Sequence, residues 1–321
     1  MRRSRKPIVI ASRGSDLARV QAQRVGAALA KLHPKLTVEF LWIESHGDRL
    51  ADRALNDAGG KGLFTRAVDQ KILDGAADIA VHSLKDLPAK DTPGLALAAI
   101  PKRNDTRDVL IAPNGATSIA ELPNDAVFGT SSPRRRAQLL RLRPNLNVKL
   151  LRGNVPTRLQ RVNDGHDGIT FTLMAAAGLK RLGLADHLKH PIPTDNILPA
   201  ACQGAIALVI RSDDHVALTR CLPLNNAVSA AEVHAERQLL AGINADCNLP
   251  VAVLAEQINP GQFRFRAQVY DANGTTCLYL DEQANTKSLR RVVAKAITTL
   301  LDQGVDRLLA TQPTPTRPTP A

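Results

Sequence analysis

The stretch DIAVHSLKD at residues 78–86 joins an apolar run to a polar loop and decides the fold class. A short apolar run of this kind predicts a buried strand, here over residues 78–81, which passes directly into the polar loop at residues 82–86. Further strands are predicted at residues 8–11, 38–43 and 95–100, with helices at residues 17–32 and 64–73. Strands separated by crossover helices indicate a mainly parallel sheet, which binds its ligands at the carboxyl ends of the strands.

The same alternation returns farther along the chain. Strands are predicted at residues 109–111, 127–129 and 148–151, with helices beginning near Ser131 and Asn154. Proline-bounded segments at residues 100–101 and 198–199 are suited to two crossings between lobes, and residues 205–211 predict a strand returning to the first lobe. The expected α/β fold therefore has two lobes with mainly parallel sheets around a cleft.

The last third of the chain has a different pattern. A helix at residues 227–240 precedes alternating segments at residues 251–257, 263–271 and 276–281, which predict antiparallel strands joined by Asn-Pro-Gly and Asn-Gly turns. A final helix is predicted at residues 287–309. The expected domains are a first α/β lobe at 1–101 plus 203–222, a second α/β lobe at 102–202, a small C-terminal α+β domain at 223–310 and a disordered tail at 311–321.

Composition excludes several classes of protein. The 321 residues are 44% hydrophobic and 22% charged, as in soluble globular proteins and unlike disordered or coiled-coil chains. No apolar run reaches the roughly 18 residues of a membrane span, and the basic N-terminus lacks the apolar core of a signal peptide. Four widely spaced cysteines without a C-x-x-C pair exclude zinc fingers and small disulfide scaffolds. A cytoplasmic protein with reduced thiols, no metal and no membrane partner is expected.

The formal charge of +12 is concentrated in the middle of the sequence. Nine basic residues and no acidic residue lie between Asp125 and Asp164: Arg134, Arg135, Arg136, Arg141, Arg143, Lys149, Arg152, Arg158 and Arg161. A solvated helix face accounts for Arg141 and Arg143. It accounts less well for the arginines at strand-to-helix junctions, because guanidinium groups and free backbone N–H groups meet there and can bind anions.

Two junctions of the first lobe carry candidate site residues. Arg13 and Ser15 follow the first strand, and a helix N-cap is a competing role for Ser15. Lys85 and Asp86 follow the strand at residues 78–81. They are either a surface ion pair or, if the carboxylate is partly withdrawn from water, an acid/base group with a neighbouring cation. For His82 we favour a hydrogen-bonded histidine at the end of a strand.

The second lobe has two similar junctions, at residues 129–135 and 152–158. Each combines hydroxyl or amide side chains with two arginines, and together they predict a site for several carboxylates or phosphates. The residues are Thr130, Ser131, Ser132, Arg134 and Arg135 at one junction and Arg152, Gly153, Asn154 and Arg158 at the other. No nucleotide-binding glycine-rich motif is present in the sequence. Cys247 lies in a polar loop, where the neighbouring Asp246 favours a raised thiol pKa.

Five segments together resemble the porphobilinogen deaminase (hydroxymethylbilane synthase) family, over about residues 8–309. They are GGKGLF at 59–64, VHSLKD at 81–86, GTSS at 129–132 with Arg134 and Arg135, LRGNV at 151–155 with Thr157 and Arg158, and AGLKRLG at 177–183. The resemblance implies three domains and an enzyme that joins four porphobilinogen molecules head to tail and releases ammonia. It also implies a dipyrromethane cofactor attached by a thioether to a loop cysteine, which matches Cys247.

The resemblance further implies residue roles. Asp86 would be catalytic: protonated, it assists the departure of ammonia, and ionised, it stabilises the resulting cation. Lys61 and Phe64 match the mobile loop of the family. Cofactor and substrate carboxylates would be held by Arg13, Ser15, Lys85, Thr130, Ser131, Ser132, Arg134, Arg135, Arg152, Gly153, Asn154, Arg158 and Arg181. The chain departs from the family at Asp246 and Cys202, because glycine is usual at both positions.

Two rival functions remain open at this level. A two-lobed cleft of the periplasmic-binding-protein type can bind an anion without catalysis, because a fold does not imply a function. Nucleic-acid binding through the basic segment is the weaker rival, since only 3% of the residues are aromatic and could stack on bases. The favoured prediction is a monomeric transferase whose partner is porphobilinogen and which binds neither nucleic acid nor membranes.

Overall fold

The computed structural model describes residues 7–44, 65–113, 115–246 and 248–310. The chain divides into two compact units: Met1–Asn104 with Gly204–Ala230, and Asp105–Gln203 with Ala231–Ala321. The chain therefore passes between the units three times, after Asn104, after Gln203 and after Ala230. The second unit contains both the predicted second lobe and most of the predicted C-terminal domain, and the three-domain division stays a prediction.

The first unit is built on a five-stranded sheet. Its order is β2-β1-β3-β9-β4, with β1 at Ile8–Arg13, β2 at Val38–Ile43, β3 at Ile79–Ser83, β4 at Leu95–Ala99 and β9 at Ile206–Arg211. β1 is parallel to β2 and β3, whereas β9 is antiparallel to both β3 and β4. Fully buried residues such as Ile10, Ile79 and Leu208 form the core of this sheet. The helices are α1 at Asp16–Leu32, α2 at Arg66–Leu73 and α6 at His215–Cys221.

The second unit contains a four-stranded sheet of the same kind. Its order is β5-β8-β6-β7, with β5 at Asp108–Ile111, β6 at Val127–Gly129, β7 at Asn147–Lys149 and β8 at Phe171–Ala175. Only β5 runs against the other three strands. The helices are α3 at Pro133–Leu142, α4 at Val155–Asn163 and α5 at Ala176–Arg181. β8 is not among the strands predicted above, because its apolar residues continue without a break into those of α5.

Each sheet has one strand opposed to the rest, so the prediction of mainly parallel α/β lobes is confirmed. The last third is α+β, as predicted: α7 at Ala227–Gly242 precedes the antiparallel strands β10 at Val251–Asn259, β11 at Gln262–Tyr270 and β12 at Cys277–Asn285. None of the described helices is long and apolar enough to cross a membrane.

The prediction of one final helix at residues 287–309 is wrong. Two helices occupy this segment, α8 at Leu289–Asp302 and α9 at Val305–Ala310. Gly304 lies between them at φ +82°, in the left-handed region, and its N–H donates to the carbonyl of Leu301 at 2.9 Å. A left-handed glycine is a common helix end, and a single residue of this kind does not interrupt the apolar pattern on which the prediction rests.

Candidate active site

The ends of β1 and β3 are joined by a buried serine. The hydroxyl of Ser12 donates to the carbonyl of Val81 at 3.1 Å, so the predicted loops that follow the two strands lie side by side. Arg13 is half-buried at the end of β1. Ser15 occupies the N-cap position of α1, but its side chain makes no capping hydrogen bond. Ser15 therefore lies at the N-cap position, the alternative role considered for it, but its hydroxyl makes no hydrogen bond to the helix.

Asp86 ends a short 3₁₀ turn, Leu84–Asp86, that directly follows β3. Leu84 anchors the turn, because its side chain is buried and its N–H donates to the carbonyl of Ala205 at 3.1 Å. Lys85 and Asp86 are half-buried. Within the described part of the chain, the Asp86 carboxylate has no hydrogen-bond or ion-pair partner. The surface ion pair between Lys85 and Asp86 is therefore absent from the described contacts, and the alternative of a partly withdrawn carboxylate is the one that the geometry favours.

His82 supports this turn and is not part of its polar surface. Its Nε2 lies 2.9 Å from Oδ1 of Asp69 on α2, and both side chains are buried. The prediction of a hydrogen-bonded histidine at a strand end is confirmed. Asp69 was not predicted, because a carboxylate on a helix in the sequence gives no sign that it faces a histidine of a neighbouring strand.

The junction between β6 and α3 orders its hydroxyl groups by local hydrogen bonds. Ser132 is the N-cap of α3 and accepts from the N–H of Arg135 at 3.3 Å, while its own N–H donates to Oγ1 of Thr130 at 3.1 Å. Thr130 is buried. Ser131 is exposed, and its hydroxyl has no hydrogen-bond partner among the residues that the structure describes. Of the three predicted hydroxyl donors at this junction, Ser131 is the one that remains available to a ligand.

Arg134 and Arg135 are buried and share one carboxylate, that of Asp108. Arg134 donates to Oδ2 of Asp108 at 2.8 Å, and Arg135 donates to Oδ1 at 2.7 Å and to Oδ2 at 3.2 Å. Burial opposes the ionisation of Asp108, but the two guanidinium groups outweigh it and hold the pKa of that carboxyl far below its ordinary range. Asp108 was missed in the sequence, where it appears as a single acidic residue at the start of an otherwise apolar strand.

Two glutamine side chains complete this cluster. Gln203 donates from Nε2 to Oδ1 of Asp108 at 2.9 Å and to the carbonyl of Thr106 at 2.8 Å. Gln138 is paired with the backbone of Leu198, whose carbonyl also accepts from Arg134 at 2.7 Å. One buried atom of the cluster, Nε of Arg134, has no hydrogen-bond partner among the described residues.

The junction between β7 and α4 is more exposed. Asn154 is the N-cap of α4, and its Oδ1 accepts from the N–H of Thr157 at 2.9 Å and from its hydroxyl at 2.7 Å. Gly153 is exposed at φ +108°, a backbone conformation that favours glycine. Arg152 and Arg158 are half-buried beside it. The side-chain oxygen of Asn154 is thus occupied by capping, and the two arginines are the cationic groups of this junction.

The remaining predicted residues fall into two groups. Arg181 is buried at the end of α5. Cys247, Lys61 and Phe64 lie outside the described residues, so the predictions for the cofactor cysteine and the mobile loop are not addressed by the structure. Arg141 is exposed, as predicted for a solvated helix face, and donates to the carbonyl of Thr275 at 3.3 Å. Arg143 is half-buried and donates to the carbonyl of Leu122 at 3.0 Å.

The other cysteines have the buried or inert character predicted for them. Burial, reinforced by Asp214, raises the pKa of Cys221 to about 12. Burial also raises the pKa of Cys277. Cys202 is buried and adopts φ +62°, which is unusual for a residue other than glycine. Within the described ranges no group of three or more His, Cys, Asp or Glu side chains is placed to hold a metal ion.

Taken by chemical type, the described candidates are guanidinium, ammonium and hydroxyl donors together with one unpartnered carboxylate. Such donors bind ligands that carry several carboxylates, and Arg forks do so with two parallel hydrogen bonds. The one carboxylate of these junctions without a described partner, that of Asp86, is the group best placed to exchange a proton or to face a developing positive charge.

Several known proteins are similar to this chain over most of its length. Residues 8–219 match the family model described as porphobilinogen deaminase, dipyromethane cofactor binding domain. A porphobilinogen deaminase of Laribacter hongkongensis is 42% identical over 95% of this chain and 97% of its own. One of Legionella pneumophila (strain Lens) is 40% identical over 97% of this chain and 99% of its own. Among solved structures, the BenM effector binding domain with its effector benzoate is 15% identical, with a TM-score of 0.40 over 68% of this chain and 91% of that chain.

Proposed function

The chain belongs to the porphobilinogen deaminase family, and from this membership we propose which of its residues carry the reaction. The enzyme is a transferase, hydroxymethylbilane synthase, which condenses four porphobilinogen molecules into a linear tetrapyrrole with the release of ammonia. Its cofactor is dipyrromethane, for which the matched domain is named. A non-catalytic anion-binding protein is the remaining alternative, and no described contact favours it.

The described residues fit a dipyrromethane. Each of its two pyrrole rings bears an acetate and a propionate, so the group carries four carboxylates. The junctions offer donors of the matching kind, and the buried cluster of Arg134, Arg135 and Asp108 has two cations for one anion. Since buried charges are normally paired, this excess cation is the observation that carries the proposal. When bound, the cofactor supplies the pyrrole carbon to which the first substrate is added.

Cys247 is the proposed attachment residue. The three cysteines within the described ranges are Cys202 and Cys221, both buried, and Cys277, which is half-buried with a raised thiol pKa. A raised pKa lowers the fraction of nucleophilic thiolate at neutral pH. Cys247 matches the loop cysteine of the family, and we assign the thioether to its sulfur on that ground.

Asp86 is the proposed catalytic residue. A protonated carboxyl at this position gives its proton to the departing amine while the carbon–nitrogen bond of the substrate breaks and its electron pair leaves with ammonia. The carboxylate that results stabilises the electron-poor methylene carbon until the next pyrrole carbon bonds to it. That ring carbon then loses its hydrogen as a proton, which restores the aromatic pyrrole. The carboxylate also accepts the hydrogen bond of a pyrrole N–H. Because no described side chain engages Asp86, its carboxylate is available for both tasks.

The remaining residues are proposed to bind carboxylates of cofactor and substrate. In the first unit these are Arg13, Ser15 and Lys85. In the second unit they are Thr130, Ser131, Ser132, Arg134, Arg135, Arg152, Gly153, Asn154, Arg158 and Arg181. Thr130, Ser132 and Asn154 already use side-chain oxygens in local hydrogen bonds, so we expect their contribution to be chiefly through the shape of the junctions. Lys61 and Phe64 are proposed to belong to a mobile loop.

The finer properties of the protein follow the same proposal. Porphobilinogen is its substrate and its small-molecule partner. We propose a monomer of the cytoplasm, where its four widely spaced cysteines would stay reduced thiols. We propose that neither nucleic acid nor membranes are partners, because the basic segment is accounted for by carboxylate ligands.

Intact-protein mass spectrometry tests the proposal. The wild-type protein is expected to exceed its sequence mass by two pyrrole units and to release ammonia from porphobilinogen. Cys247→Ser is expected to show the sequence mass alone, while the control Cys277→Ser keeps the added mass. A folded wild-type protein without added mass and without ammonia release would favour the non-catalytic alternative. A normal load on Cys247→Ser would move the attachment to another residue.

A further inference from the structure

Asp108 is the centre of the buried cluster that contains Arg134 and Arg135, and it has no role in the reaction as proposed above. It is fully buried, and three side-chain donor contacts from Arg134 and Arg135 and a fourth from Gln203 converge on its two oxygens. Both arginines are less than one tenth exposed. Asp108 therefore sets where the two guanidinium groups lie.

The charge of this cluster is unbalanced. Two guanidinium groups and one carboxylate leave one positive charge, since Gln138 and Gln203 are neutral. Burial lowers the pKa of Arg134; Asp108 counteracts this effect, and the neighbouring Arg135 adds to it. Nε of Arg134 also lacks a partner among the described atoms. A buried, unmatched cation destabilises a fold, so an anion that reaches this cluster stabilises the protein.

We propose that Asp108 is a positioning residue, which holds Arg134 and Arg135 side by side with one positive charge left over for a carboxylate of the bound dipyrromethane. This inference rests on the proposed function. The protein's own carboxylate and the carboxylate of the ligand then neutralise the same pair of guanidinium groups. Their contributions to stability must be coupled, because each is worth more when the other is missing.

The surroundings of Asp108 give this coupling a structural context. Gln203 is the last residue before the chain passes from the second unit to the first. Its side chain donates to the carbonyl of Thr106, which lies just after the crossing that follows Asn104. Arg134 and Gln138 fix the backbone of Leu198, ahead of that second crossing. Asp108 thus connects the arginine pair with two of the three segments through which the chain passes between the units.

Thermal unfolding of loaded and unloaded protein tests the proposal. Unloaded protein is obtained by expression in cells that make no porphobilinogen, and loading with porphobilinogen is verified by intact mass. We expect loading to raise the melting temperature of Asp108→Asn by about 3 °C or more beyond the rise in wild type. Arg135→Gln leaves the cluster neutral, so its rise on loading should be smaller than that of wild type.

Two controls separate coupling from general destabilisation. Asp108→Glu retains the charge and should restore a rise close to that of wild type. Glu236→Gln alters another fully buried carboxylate of the same unit, which accepts the N–H groups of Cys202 and Ala255. It should lower both melting temperatures equally.

The outcomes are distinct. Equal rises in wild type and Asp108→Asn would overturn the proposal. If Asp108→Asn folds only when loaded, the proposal is supported in its strongest form. If that variant never folds, Arg135→Gln decides, because an unchanged rise contradicts the shared neutralisation and a reduced rise supports it. Failure of the wild type to acquire the added mass would instead refute the proposed cofactor attachment, which is a separate result.

Discussion

Asp86 and Asp108 are two aspartates near the ends of strands, and we propose opposite roles for them because their surroundings differ. Asp86 follows β3, is half-buried, and has no described partner. Asp108 begins β5, is fully buried, and is held by two arginines and a glutamine. A carboxylate without a partner can exchange protons and meet a passing cation, whereas one that is fully paired can only hold other groups in place. We therefore propose chemistry for Asp86 and positioning for Asp108 from their environments, because their residue type is the same.

The largest effect on stability is expected from Asp108→Asn. Removing one member of a buried ion pair leaves uncompensated charge and costs about 3–5 kcal/mol. Because the folded-state pKa of Asp108 is depressed, its stabilisation is present above the ordinary value of 3.8 and is lost as the pH falls through the folded pKa. Denaturant unfolding should show the difference from wild type shrinking by about 1 kcal/mol between about pH 6 and pH 3. A difference in unfolding free energy that does not change with pH would contradict the depressed pKa of Asp108 in the folded protein.

Asp86→Asn should act on catalysis and leave the fold intact. Loss of an acid/base group lowers turnover at least about a hundredfold, which is about 2.7 kcal/mol in the barrier. Its free energy of unfolding should stay within about 0.5 kcal/mol of wild type, because no described contact is lost. Ammonia release and denaturant unfolding on the same preparation measure the two quantities. Near-normal ammonia release would remove Asp86 from the mechanism.

Gly274→Ala tests how much the contact between Gly274 and α3, the helix that carries Arg134 and Arg135, contributes to stability. Gly274, in the turn between β11 and β12, lies at φ +72°, and a Cβ there would be 2.0 Å from the carbonyl oxygen of Ala137 on α3. The expected loss in unfolding free energy is about 1–3 kcal/mol. Gly261→Ala is the matched control, because Gly261 lies at φ +74° but its Cβ would meet nothing closer than 3.5 Å. Equal losses would mean that contact with α3 contributes nothing.

The smallest effect on stability is expected at Cys202, which precedes Gln203, the residue whose side chain donates to Asp108. Cys202 adopts φ +62°, and relieving this left-handed conformation with Cys202→Gly should stabilise the protein by about 1 kcal/mol. Cys202→Ala keeps the unfavourable conformation and serves as the control without a gain. The midpoint of denaturant unfolding measures both. A destabilised glycine variant would indicate that the buried thiol contributes more by packing than the backbone loses by strain.

The two aspartates also show what the sequence can predict. The strand at residues 78–81 and the polar loop that contains Asp86 are predictable because they are contiguous in the chain, whereas the catalytic role of Asp86 comes from the resemblance to the family and stays a prediction. Asp108 was missed because its partners lie 26, 27 and 95 residues away, and no local pattern records such contacts. Arg134 and Arg135 were recognised as a pair at a helix start, but not the carboxylate that already engages them.

The fold follows the same rule. Strands bounded by turns were predicted, since apolar runs and their breaks are adjacent in sequence. β8 was missed where a strand and a helix share one apolar run, and the division between α8 and α9 depends on the backbone angle of the single residue Gly304. Both errors come from features that the order of apolar residues does not encode.

Ammonia release per loaded molecule, measured side by side for Asp86→Asn and Asp108→Asn, tests the central contrast most directly. Protein carrying the two-pyrrole mass is selected for each variant before porphobilinogen is added. We predict that the Asp86 variant falls below about one hundredth of the wild-type rate, while the Asp108 variant, once loaded, retains a larger share. The reverse order would contradict the proposed roles, because it would make the paired carboxylate of Asp108 the catalytic group and the unpaired carboxylate of Asp86 a positioning group.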